Sequence, residues 1–322
     1  MDTISRLLGM ARLTAEVDKR CLLSGATRMD VDRYGEHEVP FHVLLDGECE
    51  LRLGSTVLAL RAGDVVLIPS GSPHQVITAG AGRKNGTSET EGDAFVTTRS
   101  KRGGPAVIDL FCGHYTFDQG AVLLRSLPEP LKVSFGSSTV ELEMLGALMR
   151  GEAQREGAGT AAILSALSTA LLAMVLRSTT TPALWTAAAD PRIATAIEAI
   201  LHDPGDAWSI ERLSRVAAMS RATFLRHFGQ QTGMTVGVFL ARARVMAAAE
   251  LLDTTDATVA AIALEVGYQS ESAFSRAFRA EVGTTPARYR RDRQRGATDG
   301  VRQALGRQPR EFRAYADGLA AG

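Results

Sequence analysis

The feature that most constrains the fold is an internal repeat in the C-terminal third of the chain. Two segments, 209–233 and 258–283, share one layout: a short apolar stretch, a turn, and a stretch with two phenylalanines four residues apart. The offset between the segments is 49 residues before the turn and 50 after it, so the second turn carries one extra residue. This repeat predicts two copies of one small helical unit.

Each unit carries its own helix-start signals. Ser209 and Thr258 precede the first apolar stretch of their units, and Ser220 and Ser270 precede the second. Serine and threonine side chains accept hydrogen bonds from the free N–H groups of a helix start. The pattern therefore predicts two short capped helices per unit, separated by a turn.

The phenylalanine spacing assigns the faces of the second helix. Phe224 and Phe228 are four residues apart and share one helix face, which must pack on the core. Arg226 then lies on the opposite, exposed face, and Arg276 has the same place in the second unit. An arginine on the free face of a short capped helix is what base reading in a major groove requires.

These segments resemble the DNA-binding domain of the AraC/XylS family, in which one long helix joins two helix-turn-helix units. The joining helix would be Val236 to Leu252. The second unit carries the resemblance through Ala263, Val266, Gly267, Tyr268, Ser270, Phe274, Arg276, Phe278, Gly283, Pro286, Tyr289 and Arg290. The match covers roughly a hundred residues, and it implies double-stranded promoter DNA and RNA polymerase as partners.

The resemblance also implies which side chains contact DNA. They are Arg221, Ala222, Leu225, Arg226, Glu271, Ser272, Ser275 and Arg276. Ala222 and Leu225 depart from the polar or aromatic residues often found there, so the first helix is expected to read DNA through Arg226 and thymine methyl contacts. The two helices are expected to enter successive major grooves roughly 34 Å apart.

The local charge fits this interpretation although the net charge of the whole chain is zero. Between Trp208 and Arg295 there are thirteen arginines and no lysine against eight acidic residues. This local surplus gives a modest basic surface of the kind that displaces counterions from DNA.

The first ~130 residues have β character. Short β-prone runs separated by glycines are Phe41–Leu45, Glu48–Leu53, Val57–Leu60, Val65–Ile68 and Val107–Cys112. Strict alternation over 48–53 points Cys49, Leu51 and Leu53 inward. The insert from Ala79 to Ala106 is rich in Gly, Thr, Ser and charge, and is expected to be a mobile loop. The pattern predicts a small barrel or sandwich.

The run Gly63 to His74 fits the second cupin motif, in which glycines turn the strands and a terminal histidine points into the barrel. The first motif is reduced to Phe41-His42 followed by Gly47. With 2–8 and 112–118, this half resembles the cupin-like sensor domain of a subset of AraC regulators. The fold expected is therefore α+β in two domains, a cupin-like barrel with a helical dimerisation segment and an all-α DNA-binding domain.

Four sensor residues stand out. His42 and His74 could ligate a divalent metal, contact an organic effector, or serve as hydrogen-bonded core histidines. Cys21 follows Lys19 and Arg20, whose charges would favour its thiolate. Cys21 and Cys112 also resemble sensor positions of a reactive-chlorine-responsive AraC regulator. No cofactor is certain.

The domain boundaries follow from helix signals. The segment 1–178 is the sensor and dimerisation domain, whose two helices, Val140–Glu156 and Thr160–Arg177, are expected to form a homodimer. A Thr/Ala-rich linker occupies 179–189, the DNA-binding domain covers 190–295 and starts at Asp190-Pro191, and 296–322 is a flexible tail.

No signal peptide pattern is found at the N-terminus, and the apolar run Ala161 to Leu176 is expected to be too short for a membrane span, so a cytoplasmic location is predicted. The leading interpretation is a transcriptional activator or repressor responding to a small molecule or an oxidant, not an enzyme. Two alternatives remain open: a cupin-type metal-dependent enzyme fused to a DNA-binding domain, and a constitutive DNA-binding protein whose barrel only dimerises.

Overall fold

The protein is seen in a computed structural model, which describes residues 3–80, 85–102, 104–124, 127–135, 140–178 and 190–305. The strands are β1 Thr14–Leu23, β2 Arg28–Val31, β3 Glu38–Asp46, β4 Glu48–Leu53, β5 Thr56–Arg61, β6 Asp64–Leu67, β7 His74–Thr78, β8 Thr87–Glu91, β9 Val96–Ser100, β10 Ile108–Thr116 and β11 Leu131–Ser134. The helices are α1 Thr3–Ala11, α2 Val140–Arg155, α3 Thr160–Arg177, α4 Pro191–His202, α5 Ile210–Val216, α6 Arg221–Thr232, α7 Val236–Thr254, α8 Val259–Glu265, α9 Glu271–Val282 and α10 Pro286–Leu305.

The strands form two sheets that enclose one apolar interior. The larger sheet has the order β11-β6-β3-β10-β1-β9-β8, and the smaller has the order β2-β7-β4-β5. Side chains from both sheets, among them Leu44, Leu51 and Leu110, meet in a single buried cluster. This confirms the predicted cupin-like barrel. Cys49 and Leu51 are buried as predicted, and Leu53 is half-buried and packs against the same cluster.

The outer face of the large sheet is buried as well. On β10, Leu110 and Cys112 point into the barrel, while Phe111 and Tyr115 belong to the cluster under the helices. Tyr115 donates a hydrogen bond of 2.8 Å to the carbonyl of Ser168 on α3. Strands β1 and β10 are therefore covered on both faces, which makes them the structural centre of the sensor domain.

The insert Ala79 to Ala106, expected to be a mobile loop, contains a hairpin, so that prediction is wrong. Strand β8 pairs with β9, and β9 adds to the large sheet as a parallel neighbour of β1. Its threonines have high β-propensity, and Thr98 is fully buried. The polar composition reflects an exposed β8 at the sheet edge, because the outermost strand has one partner and faces solvent.

The two interdomain helices are found close to their predicted bounds. Among the described helices, α3 is long and apolar enough to cross a membrane by length and composition, so the expectation that this run is too short is wrong. Leu164, Leu171 and Val175 on one face of α3 are buried, and α3 packs on β1, α1 and α2. In this structure the apolar face of α3 thus belongs to the core of the sensor domain.

The DNA-binding half confirms the predicted caps. Asp190 caps α4 with Pro191 at its first position, and Ser209, Ser220, Thr258 and Ser270 each accept a backbone N–H of the helix that follows. The joining helix α7 runs to Thr254. Helix α10 continues to Leu305, so the first ten residues of the predicted tail are helical. The predicted linker 179–189 lies outside the described residues.

Candidate sensor site and nucleic-acid interface

Strand register brings three of the four predicted sensor residues together. Cys112 on β10 pairs with His42 on β3 on one side and with Lys19 on β1 on the other. Cys21, two residues further along β1, pairs with Leu110. The two cysteines are therefore diagonal neighbours that point into the barrel, and their sulfur atoms are 3.7 Å apart.

His74 completes the cluster from the opposite sheet. It is the first residue of β7, and its Nε2 lies 2.6 Å from Nε2 of His42. Nδ1 of His42 lies 3.1 Å from the sulfur of Cys112. Nδ1 of His74 lies 2.8 Å from the carbonyl oxygen of Ser72. All four side chains are at most 3% exposed, so the structure unites every predicted sensor residue in one buried site.

These contacts assign the protons of the neutral rings. A carbonyl can only accept, so Nδ1 of His74 donates to Ser72 and its Nε2 is left as an acceptor. His42 then donates from Nε2 to His74 and accepts at Nδ1 from the thiol of Cys112. The thiol of Cys21 donates to the sulfur of Met29 at 3.6 Å, a contact that sequence reasoning missed.

Burial keeps this cluster uncharged. Burial, followed by the charge of His74, holds the pKa of His42 well below its ordinary value. Burial also lowers the pKa of His74, against the opposing effect of the Ser72 carbonyl. The contact with Cys21, together with burial, raises the pKa of Cys112 well above its ordinary value. At neutral pH the resting site therefore contains neutral imidazoles and a neutral Cys112 thiol.

The neutral histidines make barrel stability depend on pH. In the unfolded chain both rings titrate near pH 6.5, whereas in the folded barrel their pKa values are lower. Below pH 6.5 the unfolded chain thus binds protons that the folded state does not, and the free energy of unfolding falls by up to about 1.4 kcal/mol per pH unit for each ring. Urea unfolding of the β-sheet signal between pH 7 and 5 measures this slope.

The His74→Gln variant is expected to show a shallower fall than the wild-type protein, because one titrating ring is gone. The readout is the slope of the free energy of unfolding against pH. A general destabilisation would lower the free energy of unfolding at every pH without changing this slope. Equal slopes in both proteins would show that these rings do not titrate on unfolding.

The cations beside Cys21 in the sequence are neutralised by their own partners. Arg20 points to the other face of β1, where it forms a bidentate pair with Asp109 at 3.0 and 3.1 Å. Lys19 shares the face of Cys21, but its Nζ lies 2.5 Å from Glu89. Of the two cations in the prediction, Arg20 is thus directed away from Cys21, whereas Lys19 still interacts with the charge on Cys21 and Cys112.

A surface cavity of about 280 Å³ reaches this cluster, and Cys112 is among its lining residues. Tyr34 also lines the cavity and donates a 2.7 Å hydrogen bond to Asp18. Asp18 in turn lies 3.0 Å from Nδ1 of His114, and this contact raises the pKa of His114. Of the two facing thiols, Cys112 is therefore the one that lines a route from solvent.

The cupin resemblance raises the question of a metal at His42 and His74. Neighbouring nitrogen ligands of a tetrahedral zinc ion stand about 3.4 Å apart, since Zn–N distances are about 2.0–2.1 Å. The 2.6 Å between the two Nε2 atoms is a hydrogen bond, and both Nδ1 atoms have other partners. In the described part of the chain, three other potential metal ligands have their ligand atoms within 4.8 Å of one another: Glu16, Asp18 and His114. The histidine pair as placed does not fit a metal.

The second helices of both helical units present the predicted contact residues. On α6, Arg221, Ala222, Leu225 and Arg226 are exposed, while Phe224 and Phe228 are fully buried. On α9, three of the four predicted residues, Glu271, Ser272 and Arg276, are exposed, while Ser275 is half-buried and Phe274 and Phe278 are fully buried. All eight predicted contact residues thus lie away from the core face of their helix.

The two turns differ as the repeat predicted. Four residues separate α5 from α6 and five separate α8 from α9. Equivalent positions, Ala218 and Gly267, have positive φ values of +49° and +86°. Glycine adopts this conformation freely, whereas alanine does so at a cost. The shared backbone shape shows that both units follow the same helix-turn-helix path.

A buried sensory barrel joined to two exposed recognition helices defines a DNA-binding transcriptional regulator. Residues 2–181 match the family described as Cupin, and residues 213–292 match the family described as Helix-turn-helix domain. The chain belongs to the AraC-type family of transcriptional regulators, in the group with an N-terminal cupin domain.

Relatives align over nearly the full chain. An uncharacterized HTH-type transcriptional regulator of Haemophilus influenzae is 34% identical over 297 residues, which is 90% of this chain and 99% of that relative. The RCS-specific HTH-type transcriptional activator RclR of Escherichia coli is 28% identical over 300 residues, 90% of this chain and 97% of that relative. The DNA-binding domain of AdpA, solved in complex with a target DNA, is 35% identical over 32% of this chain and 93% of that chain, with a TM-score of 0.31.

Proposed function

We propose that this regulator senses an oxidant through Cys21 and Cys112 and thereby changes transcription from its target promoters. The observation that carries the proposal is the 3.7 Å separation of two buried sulfur atoms on adjacent strands. A disulfide requires about 2.05 Å, so the sulfurs must approach by about 1.7 Å.

The reaction proposed is a two-electron oxidation by a hypohalous acid. One thiol sulfur attacks the chlorine of hypochlorous acid, so that an S–Cl bond forms, the Cl–O bond breaks, and the departing hydroxide takes the thiol proton to become water. The second sulfur then displaces chloride, and its proton leaves with the chloride. The sum converts two thiols and one hypochlorous acid into a disulfide, water and hydrogen chloride.

The state of Cys112 suits such an oxidant. A thiol with a raised pKa contains little thiolate at neutral pH, and weak electrophiles such as hydrogen peroxide need the thiolate. Nδ1 of His42 lies 3.1 Å from the Cys112 sulfur and accepts the hydrogen bond of its neutral thiol. The cavity that reaches Cys112 gives a small oxidant a path to it. The name of the Escherichia coli relative, an RCS-specific activator, is consistent with this choice.

A second candidate is supported by the same cavity. Its volume of about 280 Å³ could admit a small organic effector that contacts the sensor cluster without oxidising it. Oxidant sensing is preferred because the cluster contains two facing thiols, whereas the polar groups of both histidines are already paired within the protein.

Replacement of Cys21 by Ser separates the two candidates. In cells with a promoter reporter, the wild-type protein is expected to change output after hypochlorite, and Cys21→Ser is expected to lose that change because no disulfide can close. Cys49→Ser is the matched control: Cys49 is also a buried thiol, with its pKa raised by burial to about 12, but it lies outside the sulfur contact. An unchanged response of Cys21→Ser would leave a small effector bound in the cavity beside Cys112 as the remaining candidate signal.

We propose that the active species is a homodimer in the cytoplasm that works with RNA polymerase. The support for the homodimer is a stripe of exposed apolar side chains on helix α2. Val140, Met144 and Leu148 follow one another at intervals of four on α2, and Ile163 is a further exposed apolar residue on α3; all four are 45–61% exposed. An apolar stripe of this spacing is typical of a helix that packs against a second helix.

The Leu148→Lys variant is expected to be monomeric, because a lysine in an apolar helix contact must lose its hydration. Sedimentation velocity at micromolar concentration measures the mass of each species. Val57→Lys is a matched control, since Val57 is similarly exposed, at 54% against 58%, but lies on β5. A wild-type protein that sediments as a monomer would refute the dimer.

A further inference from the structure

The sensor domain and the DNA-binding domain are joined by a network of charged side chains. Asp118, which is 4% exposed at its side chain, accepts a hydrogen bond from the hydroxyl of Tyr289 and lies 3.1 Å from the guanidinium of Arg293. Arg293 also lies 3.6 Å from Asp253, and Asp253 pairs with Arg12. Arg12 and Asp118 of the sensor domain thus contact Asp253, Tyr289 and Arg293 of the DNA-binding domain.

The sensor side of this network continues the two strands that carry the thiols. Arg12 precedes β1 by two residues, and Asp118 follows β10 by two residues. The strands pair at this end through Thr14 and Thr116, and the N–H of Asp118 donates to the carbonyl of Ala11 at 3.0 Å. Arg12 and Asp118 are therefore fixed to the same end of the β1–β10 pair, and a rearrangement of these strands displaces both residues.

The strand pair has a place where such a movement can occur. The register of β1 against β10 shifts between Val17 and Lys19, between the thiols and the Thr14–Thr116 pair. An irregular pair of this kind leaves a residue without its ladder partner and permits local bending. The sulfur atoms must approach by about 1.7 Å to form a disulfide, so the strands have to readjust near this point.

The other side of the network holds the elements that position the recognition helices. Asp253 is near the end of α7, which joins the two helix-turn-helix units. Tyr289 lies on α10, and its ring contacts Phe278 of the recognition helix α9 with centroids 5.4 Å apart. A side chain added at Gly120 would lie 2.2 Å from Ala249 of α7, so the sensor turn packs tightly on this helix.

We infer that this network, from Arg12 and Asp118 to Asp253, Tyr289 and Arg293, is the connection through which the sensor domain sets the DNA affinity of the recognition helices. The choice of an oxidant as the driving signal rests on the proposed function. Asp118 is buried with an ionic partner, so a displaced Arg293 leaves a buried charge unpaired. The network consequently favours discrete docked and undocked arrangements over a gradual shift.

The test uses the full-length protein and a DNA duplex that the wild-type protein selects from a random pool. Dissociation constants are measured for the reduced protein and after hypochlorite, and the Cys21–Cys112 disulfide is followed by thiol alkylation and mass. Arg12→Gln and Asp118→Asn are expected to form the disulfide like wild type. Their dissociation constants in the two states should agree within about twofold, whereas those of wild type differ by at least about fivefold.

Two controls distinguish coupling from a general effect. Arg12→Lys keeps the charge that faces Asp253 and should keep the wild-type difference. Arg28→Gln removes a sensor arginine of similar exposure, 50% against 43%, whose partner Asp30 lies in the same domain, and should also behave like wild type. A full wild-type difference in both Arg12→Gln and Asp118→Asn would overturn the inference.

The outcome also separates this inference from oxidant sensing. If hypochlorite leaves the wild-type affinity unchanged but Arg12→Gln shifts the reduced affinity by more than about fivefold and Arg28→Gln does not, the connection stands and the oxidant proposal fails. If neither Arg12→Gln nor Asp118→Asn can be distinguished from Arg28→Gln in either state, the connection fails.

Discussion

Replacement of Arg276 by Ala is expected to weaken binding to the selected duplex by about 1–3 kcal/mol, a factor of roughly 5–150, and to relax the preference at one base position. Arg276 is exposed on α9, opposite the buried rings of Phe274 and Phe278. A guanidinium group in this place can donate two parallel hydrogen bonds to a guanine edge. Binding is measured on the selected duplex and on a scrambled one.

Arg279→Ala is the matched control, since Arg279 is an exposed arginine one turn further along the same helix. It removes the same charge and should lower the affinity for both duplexes equally. A uniform loss for Arg276→Ala as well would show that Arg276 contacts phosphate and not a base.

Footprints of the wild-type protein should show two protected patches about one helical turn apart for each protomer.

Replacement of Phe274 by Ala is expected to lower the free energy of unfolding of the DNA-binding domain by about 3–5 kcal/mol. The ring is fully buried and contacts Tyr268 and Phe278 with centroids 5.5 and 5.6 Å away. Its removal leaves a cavity at the point where α8, α9 and the second turn meet, and neighbouring rings cannot fill it without leaving their own contacts. Urea unfolding of the full chain, followed by helical circular dichroism, measures the change.

Leu264→Ala is the control for this experiment. Leu264 lies on the neighbouring helix α8 and is 66% exposed, so its truncation should cost less than about 0.5 kcal/mol. Phe224→Ala, at the equivalent position of the first unit, should be as costly as Phe274→Ala because its ring is also fully buried. Equal, small effects of Phe274→Ala and Leu264→Ala would refute the assigned core face.

Local signals in the sequence were sufficient for the DNA-binding half. A serine or threonine before an apolar run acts on the next three backbone N–H groups, so the caps at Ser220 and Ser270 are independent of the rest of the fold. Phenylalanines four residues apart define the core face within a single helix. Hence the two units, the joining helix and the exposed arginines are all found as predicted.

The barrel was predictable as a class but not in its details. Alternation and glycine turns indicated strands β3 to β6. The hairpin of β8 and β9 was missed because its threonine-rich segment forms a strand only through the pairing of β9 with β1. Polar composition alone cannot show this, since strand formation depends on a partner from another part of the chain.

What the sequence determined by itself is therefore the local structure, the class of fold and the residue types available for sensing and DNA contact. The tertiary structure alone decided that Cys21 and Cys112, 91 residues apart, face each other at 3.7 Å, and that Asp118 meets Tyr289 and Arg293 across the domain boundary. Both arrangements depend on the register of β1 against β10 and on how two domains pack. Strand register and domain docking are set by the sum of many contacts between residues far apart in the sequence. Such contacts produce no periodic pattern in the sequence.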